Sequence, residues 1–277
     1  MSSKVKVAAV QMNSGPDVGE NLDLAGRLLG DAAAAGCVLA VLPENFPVIG
    51  ARKEDKLECA EELGSGPIQD FLTQAASDNE IWIVSGSIPL ASDVGDRCYG
   101  ASLVIDASGE IRNCYRKIHL YDISVPDRDE SYQESASLTP GKDLVVQDTP
   151  AGCLGLSICY DLRFPALYRL MARAGAQFLT APSSFTKTTG EMHWHVLVRA
   201  RAIENGAFVV APAQSGHHEC GRETYGHSLI VDPLGQVLAD GGEGVGFVVA
   251  DLDTELVGRT RASLPVLEND PPVGLGR

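Results

Sequence analysis

The sequence predicts an α/β fold, a four-layer αββα sandwich of two similar half-units, and three observations carry that expectation. Short apolar runs alternate with longer amphipathic stretches, the pattern of strands and the helices that cover them. The alternation then starts over near the middle of the chain. The runs are also apolar on consecutive rather than alternate residues, which predicts strands buried on both faces. Two sheets packed together with helices outside satisfy all three.

In the first half, residues 5–12, 38–42, 81–88 and 102–106 read as strands, and 21–35 and 67–78 have the length and spacing of helices. A polar stretch at 122–142 follows with little periodicity. So long a loop in a compact domain is usually functional or covers something. The pattern restarts with strands at 153–158, 177–181 and 207–211 and helices at 165–174 and 191–205. Strands around Ser228, Val237 and Phe247 finish the core. The restart reads as an internal repeat. Residues 35–46, ending Leu42-Pro43-Glu44-Asn45-Phe46, parallel 174–185, ending Ala181-Pro182-Ser183-Ser184-Phe185, and residues 102–111 parallel 228–237, with Asp106-Ala107-Ser108-Gly109 matching Asp232-Pro233-Leu234-Gly235. The second pair reads as two hairpins whose turns carry Asp and Gly.

At 277 residues the chain is long enough for one large domain. It carries 37 acidic and 22 basic side chains, a formal net charge of −15. That balance argues against nucleic acid or an anionic membrane as partner, since both need concentrated positive charge. The seven cysteines show no CxxC pairing and no metal-ligand spacing, so a reducing compartment fits better than a disulfide framework. The N-terminus leads straight into an apolar strand, and no apolar stretch approaches the ~20 residues of a membrane helix. A soluble, cytoplasmic protein is expected.

Three strand ends carry chemistry. Gly155-Leu156-Ser157-Ile158-Cys159 is an apolar run that ends on a cysteine, and Phe164-Pro165 opens a helical segment just beyond. A strand-to-helix turn pushes a side chain out of the sheet and aims backbone N–H groups at whatever it attacks. Free cysteines are most often packing residues, and position sets Cys159 apart from the other six. Glu44 follows Pro43 just past a strand, where its apolar surroundings predict burial and a gain in basicity through desolvation. Lys117 follows a third run; in a pocket its ammonium would favour the thiolate and stabilise a tetrahedral oxyanion, with a backbone N–H near Tyr160 helping. His193, Trp194 and His195 lack a third ligand cluster at suitable spacing, so no metal site is expected.

In the order Glu, Lys, Cys, these motifs resemble those of the nitrilase superfamily of carbon–nitrogen hydrolases. The likeness runs from Ala8-Ala9-Val10-Gln11-Met12 to Leu264-Pro265-Val266, which makes 1–265 one hydrolase domain and 266–277 a C-terminal tail. The resemblance implies the αββα sandwich, a homodimer or higher homo-oligomer, and no cofactor. It makes Cys159 the nucleophile, Glu44 the general base and Lys117 the stabiliser of the tetrahedral intermediate. The second family glutamate falls at Glu134, to orient Lys117 or the substrate. Cys159-Tyr160-Asp161-Leu162-Arg163-Phe164-Pro165 and Tyr225-Gly226-His227-Ser228 resemble amidases of small ω-amido acids. Ala213-Gln214-Ser215-Gly216-His217-His218 leans towards the branch that acts on deaminated glutathione rather than α-ketoglutaramate. One departure is His195, where many relatives carry glutamate.

The expected activity is hydrolysis of a C–N amide bond in a small carboxylate-bearing substrate through a thioester, as a step of metabolite repair. Arg163 is the expected carboxylate anchor, because guanidinium grips carboxylate bidentately, and Phe185 and Thr186 are the expected pocket wall. An ω-amidase, an N-carbamoyl amino acid hydrolase and a non-catalytic member that binds a metabolite or a protein are the rival readings.

Overall fold

The computed structural model describes residues 4–52, 54–125 and 130–269. A seven-stranded sheet runs Gly246–Asp253, Lys4–Gln11, Leu39–Val41, Trp82–Val84, Cys98–Ile105, Ile88–Ala91, with Ile111–Arg116 also paired to Cys98–Ile105. A six-stranded sheet runs Val237–Asp240, Leu229–Val231, Phe208–Ala211, Phe178–Thr180, Gly152–Gly155, Val146–Thr149. The central strands of each sheet are parallel, and the hairpins at their edges antiparallel.

The period of two along each strand sorts its residues between two cores. Val7, Ala9, Leu39 and Val41 pack against the second sheet, whereas Ala8, Val10, Ala40 and Leu42 pack under the helices Val18–Ala34 and Pro67–Asp78. The second sheet is covered by Pro165–Arg173 and Lys187–Asn205, through Leu167, Tyr168, Met171, Trp194 and Val198. The order helix, sheet, sheet, helix is the predicted sandwich. Asp17 caps Val18–Ala34 by accepting from Glu20 N at 3.0 Å, and Pro opens both Pro67–Asp78 and Pro165–Arg173 at a position where its missing N–H costs nothing.

The repeat holds at the level of single bonds. Asp106 Oδ1 accepts from Ser108 N and Glu110 N at 2.9 and 3.1 Å, and Asp232 Oδ1 accepts from Leu234 N and Gln236 N at 2.9 and 2.8 Å. Both turns close on a glycine in the left-handed region, Gly109 at φ 86° and Gly235 at φ 84°.

Two expectations change. The run 81–88 is two strands, broken at Gly86 (φ 64°), where a Cβ would overlap the carbonyl oxygens of Leu42 and Pro43. The polar stretch is a hairpin of Asp122–Val125 with Glu130–Gln133, followed by a turn of 3₁₀ helix at Glu134–Ala136. The strand around Phe247 joins the first sheet, antiparallel to Lys4–Gln11, and so ties the end of the chain to its beginning. The helix Glu255–Ser263 then follows, and its Arg261 donates to Ala176 O and Asn205 O. Pro271-Pro272 lie outside the described residues. Among the described residues no helix is long and apolar enough to cross a membrane.

Candidate active site

Three strand ends meet between the two sheets. Glu44 leaves the C-terminal end of Leu39–Val41, Cys159 follows Gly152–Gly155, and Ser184 follows Phe178–Thr180. Glu44 and Ser184 belong to the repeated Pro-x-x-Phe loops, and those two loops touch. Ser184 N donates to Glu44 Oε2 at 2.8 Å, Ser184 Oγ to Glu44 O at 3.1 Å, and Asn45 Nδ2 to Ser184 Oγ at 3.3 Å. Gln214 reinforces the contact by donating to Glu44 O at 3.1 Å and to Ser14 Oγ at 2.8 Å.

Lys117 lies between two carboxylates. Its Nζ is 2.8 Å from Glu44 Oε1 and 2.9 and 2.7 Å from the two oxygens of Glu134. The Lys117 and Glu44 side chains are 2% and 4% exposed, so solvent screens this attraction little. Lys117 N donates to Gly100 O and its carbonyl accepts from Gly141 N, both at 2.8 Å, which fixes the root of the side chain. Glu134 Oε2 also accepts from Tyr121 N at 2.8 Å.

Cys159 has φ 47°, a left-handed conformation that costs a residue with a Cβ on the order of 1–3 kcal/mol. The surroundings hold it there. Cys159 N donates to Pro182 O at 2.9 Å, and Asp161 clamps the turn by accepting from Ile158 N at 2.9 Å, Tyr115 Oη at 2.7 Å and His119 N at 3.0 Å. His119 Nδ1 lies 2.7 Å from the same carboxylate, and its ring stacks on Phe164 with centroids 3.6 Å apart. Asp161→Ala is therefore expected to cost roughly 3 kcal/mol, since it strands several buried donors at once, whereas Asp161→Asn keeps part of the set. Urea unfolding of the two variants checks this; equal midpoints would remove the clamp from the account.

The electrostatics depart from the sequence expectation for Glu44. Burial alone raises a carboxyl pKa, but the Lys117 ammonium beside it outweighs burial and holds Glu44 down at about 2. Burial likewise opposes the Lys117 charge, and Glu134 and Glu44 overcome it, so Lys117 stays protonated. Burial and then the Glu44 charge push the Cys159 thiol up, against the opposing pull of Lys117 and the Ser184 backbone. Lys117 thus favours the thiolate, as expected, without winning. The resting site holds a neutral thiol and an ionised Glu44 in one pocket.

These groups lie in a pocket of about 730 Å³, counting its open mouth. The pocket brings together all eight residues expected from the sequence: Glu44, Lys117, Glu134, Cys159, Tyr160, Arg163, Phe185 and Thr186. Arg163 is held by the rings of Phe185 and Tyr160, 5.2 and 5.9 Å from its Cζ, and its Nη1 lies 3.3 Å from His193 Nδ1. Burial and Arg163 lower the His193 pKa, which suits an imidazole that accepts. Thr186 is also the N-cap of Lys187–Asn205. Sequence reasoning missed Ser184, Asn45, Asp161, Lys56 and Arg222; the loop repeat could have pointed to the first two.

His195 does not line the pocket. Its Nε2 lies 3.0 Å from Asp240 Oδ2, and His227 Nδ1 lies 2.8 Å from Asp240 Oδ1. The ligand atoms of these three residues fall within 4.8 Å of one another, a grouping the sequence did not foresee. Both Asp240 oxygens are already engaged by imidazoles, so the cluster fastens Lys187–Asn205 to the Val237–Asp240 strand.

The carbon–nitrogen hydrolase family model matches residues 6–262. A deaminated glutathione amidase of Synechocystis sp. is 41% identical over 266 residues, covering 95% of this chain and 96% of that protein. Among solved structures, yeast Nit3, a member of branch 10 of the nitrilase superfamily, aligns with a TM-score of 0.85 at 34% identity, over 95% of this chain and 94% of that one. The C. elegans NitFhit protein aligns with a TM-score of 0.90 at 36% identity, over 97% of this chain and 65% of that one.

Proposed function

The chain belongs to the carbon–nitrogen hydrolase family, and from that premise we propose that it is an amidase cleaving deaminated glutathione through a thioester on Cys159. The observation that carries the reading is the buried Glu44–Lys117–Glu134 bridge beside a cysteine held at positive φ. Glu44 takes the Cys159 proton as sulfur attacks the amide carbonyl. Lys117 and the Tyr160 N–H stabilise the oxyanion, with Glu134 holding the ammonium in place. Glu44 returns the proton to the amine nitrogen, the C–N bond breaks, and cysteinylglycine leaves. Water then gives a proton to Glu44 and attacks the thioester; the C–S bond breaks, the keto acid departs and the thiol is restored. No cofactor enters this sequence. Arg163 anchors a substrate carboxylate, and Phe185 and Thr186 form the wall beside it.

The test is a comparison of deaminated glutathione, α-ketoglutaramate and an N-carbamoyl amino acid, following cysteinylglycine for the first because its cleavage releases no ammonia. Preference for the first is expected and fits a role in metabolite repair. Preference for either of the others keeps the mechanism and moves the substrate. Turnover of none rejects the catalytic reading.

We place the enzyme in the cytoplasm, where a reducing milieu suits seven free cysteines. It is also a homodimer in this reading. Met192, Val196 and Ile203 lie exposed along one stripe of Lys187–Asn205, with Leu170 and Leu234 exposed on neighbouring elements. Val196→Glu is expected to convert the dimer to monomer in light scattering; an unchanged mass would move the interface elsewhere.

A further inference from the structure

Beyond Arg163 and Lys117, two more cations line the pocket, Lys56 from the helix Glu54–Glu58 and Arg222 from the hairpin of Ser215–His217 with Glu223–Tyr225. In a chain of net charge −15, several exposed arginines and lysines sit against carboxylates, as in Arg52–Asp55, Lys187–Glu223 and Arg259–Asp253. Neither pocket cation does so among the described residues. Arg222 donates from Nη2 to Ser184 O at 2.6 Å, while its Nε is buried with no hydrogen-bond partner. An unsatisfied buried guanidinium donor is costly and points to an anionic ligand.

The arginine is also preorganised. His218 N donates to Arg222 O at 2.8 Å, and the His218 ring is fixed by Ser14 O at 2.8 Å and Thr224 Oγ1 at 2.7 Å. The Arg222 Cζ lies 5.8 Å from the Tyr132 ring. Tyr132 packs on Tyr121 and Tyr121 on Tyr160, with centroids 5.2 and 5.0 Å apart, and Arg163 stands over Tyr160. Two arginines therefore flank a row of three rings, as a chain-like substrate with a carboxylate at each end requires.

The geometry points to Arg222, assisted by Lys56, as a second carboxylate subsite that takes the terminal carboxylate of the departing amine, here the glycine end of cysteinylglycine. This rests on the amidase reading given above. Glu44 must hand its proton to the leaving nitrogen, so the leaving group lies on the Glu44 side of Cys159. Arg222 and Lys56 adjoin Glu44 through its neighbours in the pocket. Arg222 bonds to Ser184 O, and the Ser184 N–H bonds to Glu44; Lys56 lines the pocket together with Asn45, the residue after Glu44. Arg163 comes from a different segment, the turn that follows the cysteine.

The experiment compares deaminated glutathione with its C-terminal amide, in which glycinamide replaces glycine, in wild type, Arg222→Gln, Arg222→Lys and Lys56→Gln. The wild type is expected to prefer the acid by about tenfold or more in kcat/KM, mainly through KM. Arg222→Gln should bring the ratio near one, Lys56→Gln should lower it partly, and Arg222→Lys should restore part of it. The acid and amide are compared within each protein, so loss of folded enzyme cancels. A wild-type ratio near one, or a ratio that survives Arg222→Gln, overturns the subsite while leaving the amidase reading intact. If Arg222→Gln is insoluble, the wild-type ratio and the Lys56→Gln ratio decide. Turnover of α-ketoglutaramate with neither peptide substrate cleaved overturns the substrate reading and the subsite together.

Discussion

Cys159→Ala is expected to lower kcat/KM by about 10⁴-fold or more while the protein stays folded. In the proposed mechanism the thiol is the attacking group, and nothing else in that mechanism replaces it. Rapid acid quenching of the wild type with substrate should trap a mass increase equal to the acyl group, and the variant should show none. Turnover surviving in Cys159→Ala would end the thioester mechanism. Stability offers a second check. Because Cys159 sits at φ 47°, alanine keeps the strain of a Cβ in the left-handed region, and glycine releases it. Cys159→Gly should thus unfold at a denaturant concentration at least as high as Cys159→Ala, the reverse of the usual order, in which glycine loses more chain entropy.

Lys117→Met should abolish activity to a similar degree and also destabilise the fold by about 3–5 kcal/mol at neutral pH. Glu44 and Glu134 share one ammonium, and without it a buried and a half-buried carboxylate face each other. The pH dependence separates this cause from simple loss of packing. In the wild type the Glu44 pKa is depressed to about 2, so its stabilisation is present above the unfolded value of 4.5 and is lost as pH falls towards 2. In the variant, burial and Glu134 raise the Glu44 pKa above its unfolded value. The variant is then penalised as pH rises through that raised pKa and relieved below it. The two stability curves should converge on acidification from pH 7 to pH 4 in urea titrations. A gap that stays constant over that range would assign the loss to packing instead.

Much of this was legible one-dimensionally. Cys159, Glu44 and Lys117 each follow an apolar run, and a charged or nucleophilic residue at a strand end reads as exposed to a site whatever the rest of the fold does. The doubled Asp-x-x-Gly turns and Pro-x-x-Phe loops announced two half-units because their signals are local, carried by side chains that bond their own backbone. The sign of the Glu44 shift was not legible, because burial and an ion pair act in opposite directions and only the 2.8 Å approach of Lys117 says which dominates. Asp161 reads as one more polar residue after the cysteine until its partners, Tyr115 and His119, arrive from over forty positions away.

The sequence by itself determined the layers, the repeat, and the three strand-end residues proposed to do the chemistry, since periodicity, turn residues and strand ends are properties of neighbouring positions. The tertiary structure decided the rest. It placed the strand Gly246–Asp253 in the first sheet, brought Ser184 against Glu44, split the 81–88 run at Gly86, and set Arg222 at the pocket of a cysteine 63 positions earlier. Each of these depends on a contact between segments distant in the chain, whose strength follows from distance and burial once the sheets have packed. Spacing along the chain encodes neither.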